Sequence, residues 1–149
     1  MTSVLILTHG GLAAEMLRSA RVIAGDLTGF EALCLDWDDS IDTARAKVGA
    51  AVERLDRGDG VLILTDIFGG TPSNAAKSFY RAGRIEIVSG VNLPMVVRLG
   101  CVLRQPAAPP VDVLARLTAE KGRASIRRST STRPTTPQRA RDRQREDLG

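Results

Sequence analysis

Aromatic side chains make up only 3% of this 149-residue chain, too few for a surface that binds nucleic acid by stacking bases on rings. Long apolar runs are also missing. None approaches the roughly 18 to 20 residues needed to cross a bilayer, and Val4-Leu5-Ile6-Leu7 gives way at once to Thr8 and His9. That is not the apolar stretch of a signal peptide. The single histidine has no spaced Cys or His companion, so no zinc site is expected. Cys34 and Cys101 match no metal or redox spacing. Each lies among apolar neighbours and reads as a buried, inert thiol in a cytoplasmic protein. No cofactor is expected.

Charge of one sign is absent from most of the chain. The net charge is +4 with a pI near 9.7. Residues 127–149 carry all of it, with seven arginines against Asp142, Glu146 and Asp147, while residues 1–126 balance at 14 basic and 14 acidic side chains. The basicity therefore says nothing for a nucleic-acid-binding domain. With 43% apolar residues, the chain has enough material for one domain with a core and too little for two.

Short apolar runs alternate with helical spacing. Val4–Thr8, Ala32–Leu35, Val61–Leu64 and Ile85–Val88 read as strands, the uniformly apolar ones as strands buried on both faces. Helices are expected over Leu12–Ala24 with Gly25 as C-cap, from Ser40 or Asp39 to about Asp56, from Pro72 to about Arg81, from Asn92-Leu-Pro94 to about Leu103, and over Val111–Lys121. Ala124–Ile126 reads as a short fifth strand. Repeated strand–helix order implies parallel strands with right-handed crossovers. The expected fold is an open, doubly wound α/β sheet of four to five mainly parallel strands, order 2-1-3-4, with helices on both faces, over residues 1–126. The remainder, 127–149, is too poor in apolar residues to offset its ordering entropy and reads as a disordered basic tail.

Ligands of such sheets bind at the carboxyl ends of the strands, where strand order reverses. His9 follows the first strand and Asp66 the third, so order 2-1-3-4 sets them face to face. A carboxylate bonded to one imidazole nitrogen fixes the tautomer and leaves the other nitrogen free to attack. Gly10-Gly11 and Gly69-Gly70-Thr71 each open a helix, where exposed amides and a hydroxyl suit an anion. A nucleophilic histidine, an orienting carboxylate and an anion cradle describe phosphohistidine chemistry. The plainer alternatives are a satisfied polar histidine and tight strand–helix turns. No Lys follows the glycines at phosphate-loop spacing, no dinucleotide fingerprint is present, and neither Ser73 nor Ser89 lies in a nucleophile elbow. The cluster Asp36, Asp38, Asp39 and Asp42 reads as a solvated helix start rather than a metal site.

Leu7-Thr-His9-Gly-Gly-Leu12, Thr65-Asp66-Ile-Phe-Gly-Gly-Thr-Pro-Ser-Asn74 and Gly90-Val-Asn92-Leu-Pro-Met95 together resemble the mannose-family enzyme IIA component of the bacterial phosphoenolpyruvate-dependent sugar phosphotransferase system, across about residues 2–126. The resemblance implies a cytoplasmic phosphocarrier. His9 would accept a phosphoryl group from the phosphorylated histidine phosphocarrier protein and pass it to a IIB component, with permease components further along. Asp66 would orient the ring, Gly10, Gly69, Gly70 and Thr71 would hold the phosphoryl oxygens, and Asn92 would shape the rim. It also implies a homodimer that exchanges a terminal strand, here only Ala124-Ser-Ile126. A regulatory module whose phosphorylation state is sensed, without sugar transport, is the alternative. The tail resembles neither an interdomain linker nor a IIB domain.

Overall fold

The computed structural model describes residues 1–130. Strands and helices alternate through β1 (Ser3–His9), α1 (Leu12–Ala24), β2 (Phe30–Leu35), α2 (Ile41–Leu55), β3 (Val61–Thr65), α3 (Thr71–Lys77), β4 (Ile85–Ser89), α4 (Leu93–Leu103) and α5 (Val111–Ala124). The strands form one parallel sheet in the order β2-β1-β3-β4. The expected α/β architecture and strand order are observed.

Alternation along the strands explains the uniformly apolar runs. Val4, Ile6, Leu62 and Leu64 face a core shared with α1, α4 and α5. Leu5, Leu7, Val61 and Ile63 face the opposite core, shared with α2 and α3. All eight are fully buried, and each such side chain contributes on the order of 1.5–3 kcal/mol. The starts of α2 and α4 are fixed by caps. Ser40 Oγ accepts from the Thr43 amide at 3.1 Å and Asn92 Oδ1 from the Met95 amide at 3.1 Å, satisfying donors that the first helical turn leaves free. The buried Thr8 hydroxyl accepts from the Ala13 amide at 2.8 Å, tying the start of α1 to the end of β1.

Three expectations change. The fifth strand at 124–126 does not form, because α5 runs on to Ala124 and the Ser125 amide still bonds the Lys121 carbonyl at 3.0 Å. The helix end is secured at this point: Asn92 Nδ2 donates to the Gly122 carbonyl at 3.2 Å, and Gly122 lies so close to Met95 that a Cβ would meet its methyl carbon at 2.0 Å. Ile126 is left 80% exposed and β4 remains a sheet edge among the described residues. Second, α3 ends at Lys77 rather than near Arg81. Phe79 turns inward against Gly49 of α2, where a Cβ would meet its ring at 3.0 Å, and Arg81 instead bridges Ile85. Third, Cys101 is exposed and Cys34 half-buried, rather than both buried. On α4 the inward positions are Met95, Val96, Leu99, Gly100 and Leu103, a stripe that leaves 101 outside.

No helix among the described residues is long and apolar enough to cross a membrane. Of the tail expected over 127–149, residues 127–130 are exposed and without regular structure, and 131–149 lie outside the described residues.

Candidate active site

Because β1 and β3 are neighbours running in the same direction, their carboxyl ends deliver His9 and Asp66 to one point. Asp66 Oδ2 lies 2.9 Å from His9 Nδ1 and also accepts from the His9 backbone amide at 3.0 Å. Its other oxygen accepts from the Ile67 amide at 3.0 Å. The ring and the carboxylate are 21% and 10% exposed, so the pair is sheltered while the imidazole stays reachable. Burial pushes the Asp66 carboxyl up, but the bonds from the His9 ring, the His9 amide and the Ile67 amide together outweigh it and hold the group below its ordinary value. Asp66 is thus a carboxylate at neutral pH. With Nδ1 engaged, the free nitrogen of His9 is Nε2.

The loop between β3 and α3 closes over that nitrogen. A Cβ on Gly70 would stand 2.9 Å from His9 Cε1 and 3.4 Å from Nε2, so only glycine allows this approach. Gly69 is needed for a different reason: its φ is +85°, with open space where a Cβ would sit. Asn74 braces the loop from below, its amide donating to Gly70 O at 2.9 Å and its Nδ2 to Gly69 O at 3.2 Å. Thr71 is the first residue of α3, followed by Pro72, whose missing N–H costs nothing there. Two further expected site residues, Gly10 for the phosphoryl group and Asn92 at its rim, make bonds within the fold. The Gly10 amide donates to Leu35 O at 2.8 Å, and Asn92 is engaged through Met95, Gly122 and Ser125 in fastening α4 to α5.

The family model described as PTS system fructose IIA component, EIIA-man, matches residues 3–109. The chain belongs to this family. It is 30% identical over 126 residues to the PTS system mannose-specific EIIAB component of Escherichia coli K12, a match covering 84% of this chain and 38% of that protein. It therefore spans well under half the length of those relatives. It is 35% identical over 100 residues to the PTS system fructose-specific EIIA component of Bacillus subtilis 168, covering 66% of this chain and 68% of that one. Among solved structures, the mannose/sorbose specific IIA subunit of the phosphotransferase system from Enterococcus faecalis superposes with a TM-score of 0.75 at 26% identity, over 90% of this chain and 98% of the other. The phosphotransferase system component EIIA from Streptococcus agalactiae gives 0.73 at 26% identity, over 86% and 97%.

One neighbour of the His9 ring in this IIA chain escapes sequence reasoning. Trp37, in the loop after β2, stacks on His9 with ring centroids 5.1 Å apart and planes 19° from parallel. The available signal was positional: it lies two residues beyond the end of the strand paired with β1. In the acidic cluster Asp36 and Asp42 are exposed, while Asp39 is sheltered, with Lys47 Nζ 2.7 Å from Asp39 and 3.5 Å from Asp36. Among the described residues, no group of three or more His, Cys, Asp or Glu side chains is placed to hold a metal ion.

Proposed function

We propose that this chain is a cytoplasmic phosphocarrier of a sugar phosphotransferase system. It accepts a phosphoryl group on His9 from the phosphorylated histidine phosphocarrier protein and passes it to a IIB component for sugar uptake and phosphorylation. One observation carries the reading: Asp66 engages Nδ1 of His9 while Nε2 faces the glycine loop at Gly70.

The transfer needs no separate base. Nε2 attacks phosphorus as the bond from phosphorus to the donor nitrogen breaks, and that electron pair returns to the donor. The ring of His9 becomes positive as the new bond forms. Asp66, already ionised, stabilises that charge and keeps the Nδ1 proton in place. Catalysis is then positioning and electrostatics. The phosphoryl oxygens fall to the amides around Gly69 and Gly70 and to the Thr71 hydroxyl. Gly10 contributes through the shape of its turn, and Asn92 through the helix it caps. The homodimer implied by the family resemblance is not required for this step, because His9, Asp66 and the glycine loop come from one chain.

The test is intact-protein mass spectrometry at mildly basic pH after incubation with phosphoenolpyruvate, enzyme I and the histidine phosphocarrier protein. One added phosphoryl group is expected, and none in a His9→Ala variant. Delivery to a IIB component is then read by loss of the label when that component is added. A His9→Ala protein labelled like the wild type would overturn the assignment.

A further inference from the structure

Trp37 is the only tryptophan in the chain, and it is 81% exposed. An indole left this open to water ordinarily adopts many orientations, yet this one lies flat against the reacting ring. Two features hold it there. Its backbone sits in a turn closed by the Asp39 amide on the Asp36 carbonyl at 3.0 Å and by the Asp36 amide on Asp39 Oδ2, also at 3.0 Å. Lys47 of α2 bonds that same Oδ2 at 2.7 Å, anchoring the turn to a helix. From the other side, Gly10 gives the indole room. A Cβ there would meet Trp37 Nε1 at 3.0 Å, and the backbone has φ +53°.

We propose that Trp37 is a positioning residue for phosphoryl transfer at His9, and that its indole face stabilises the positive ring formed when Nε2 bonds phosphorus. This rests on the phosphocarrier reading above. The imidazole has two faces and two nitrogens to control. Asp66 takes one nitrogen, Gly70 leaves room beside the other, and Trp37 covers a face. Offset stacking at this separation favours one ring orientation, and an aromatic face attracts a cation laid on it. The neutral ground-state ring gains less from that attraction than the phosphorylated cation does. The contact therefore acts preferentially on the transition state and on the product.

The step balances without a further reactant. Neutral His9, with its proton on Nδ1, attacks phosphorus. The donor ring, protonated on its own second nitrogen, leaves as neutral imidazole. The positive charge passes from one ring to the other, and here it arrives beneath an indole.

The experiment uses a small donor, phosphoramidate, so that protein docking plays no part. Nε2 forms a bond to phosphorus and ammonia leaves. Labelling rates at mildly basic pH are measured by intact mass on the full chain, its Trp37→Phe and Trp37→Leu variants and a His9→Ala control. Circular dichroism confirms that each is folded. The phenyl ring keeps a stacking face and leucine keeps only apolar bulk. Trp37→Phe is expected to label within about twofold of the wild type, and Trp37→Leu roughly two- to fivefold more slowly, the scale of an exposed cation–π contact. Equal rates for Trp37→Leu and the wild type overturn the proposal, as does a Trp37→Phe variant as slow as Trp37→Leu. A wild type that takes no label, while free imidazole in the same tube does, overturns the carrier reading and this one with it.

Discussion

Asp66 Oδ2 meets His9 at two places at once, the backbone amide at 3.0 Å and ring Nδ1 at 2.9 Å. One oxygen thereby fixes both where the residue sits and how its ring is turned. A carboxylate bonded to the ring alone would let the pair pivot together. Anchored to the main chain as well, the ring is referenced to β1 itself, and through β1 to the sheet.

Asp66→Asn therefore separates charge from shape. The amide retains one oxygen for the His9 N–H but loses the negative charge opposite the developing imidazolium. A hydrogen bond to a charged group is worth about 1.5–3 kcal/mol, so transfer to His9 should slow roughly ten- to a hundredfold. Stop-flow or quench measurements with the phosphorylated carrier protein read this directly. An unchanged rate would remove the role assigned to Asp66.

Gly70→Ala and Gly11→Ala form a matched pair. A methyl at 70 would press on His9 Cε1 at 2.9 Å, whereas at 11 nothing lies within 4 Å and φ is −80°. Displacing the ring from its partner should lower the labelling rate of Gly70→Ala by at least tenfold, with about 1–2 kcal/mol of lost stability from overpacking. Gly11→Ala should label normally. Equal behaviour of the two would show that the approach of Gly70 to the ring is not needed.

Acid sensitivity follows from the depressed Asp66 carboxyl. Its ionised form is favoured in the folded state, so the stabilisation is fully present above the ordinary carboxylate value of about 4. It is lost as pH falls through the lower value the group has in the fold. Thermal unfolding of the wild type should thus shift downward between pH 4 and pH 2 by more than that of Asp66→Asn. Parallel curves would sink the prediction.

Thr8→Val probes the link between strand and helix. The substitution keeps the shape of a fully buried side chain but leaves the Ala13 amide without the hydroxyl it now uses at 2.8 Å. An unpaired buried donor costs about 1–3 kcal/mol, and denaturant melts should show a loss of that size. No loss would mean that water replaces the bond.

Much of this architecture was legible because burial on both faces of a parallel sheet writes itself into the chain as Val4–Leu7 and Val61–Leu64, with helical spacing between. Strand order then placed His9 against Asp66 without any side-chain information. The misses share a cause. Whether 124–126 extends a helix or starts a strand depends on Asn92 and Met95, thirty residues away, and the end of α3 depends on a gap at Gly49. Trp37 was invisible for the same reason, since loop geometry and not periodicity carries it to the site. The glycines were read as a set, while the structure gives Gly10, Gly69 and Gly70 three separate reasons.

The contact between Trp37 and His9 also turns the protein into its own optical instrument. With a single indole in the whole chain, and that indole resting on the imidazole, emission excited at the red edge, where Tyr80 does not absorb, comes from this one ring. A change of charge on one ring is read by the other, in real time and without a dye.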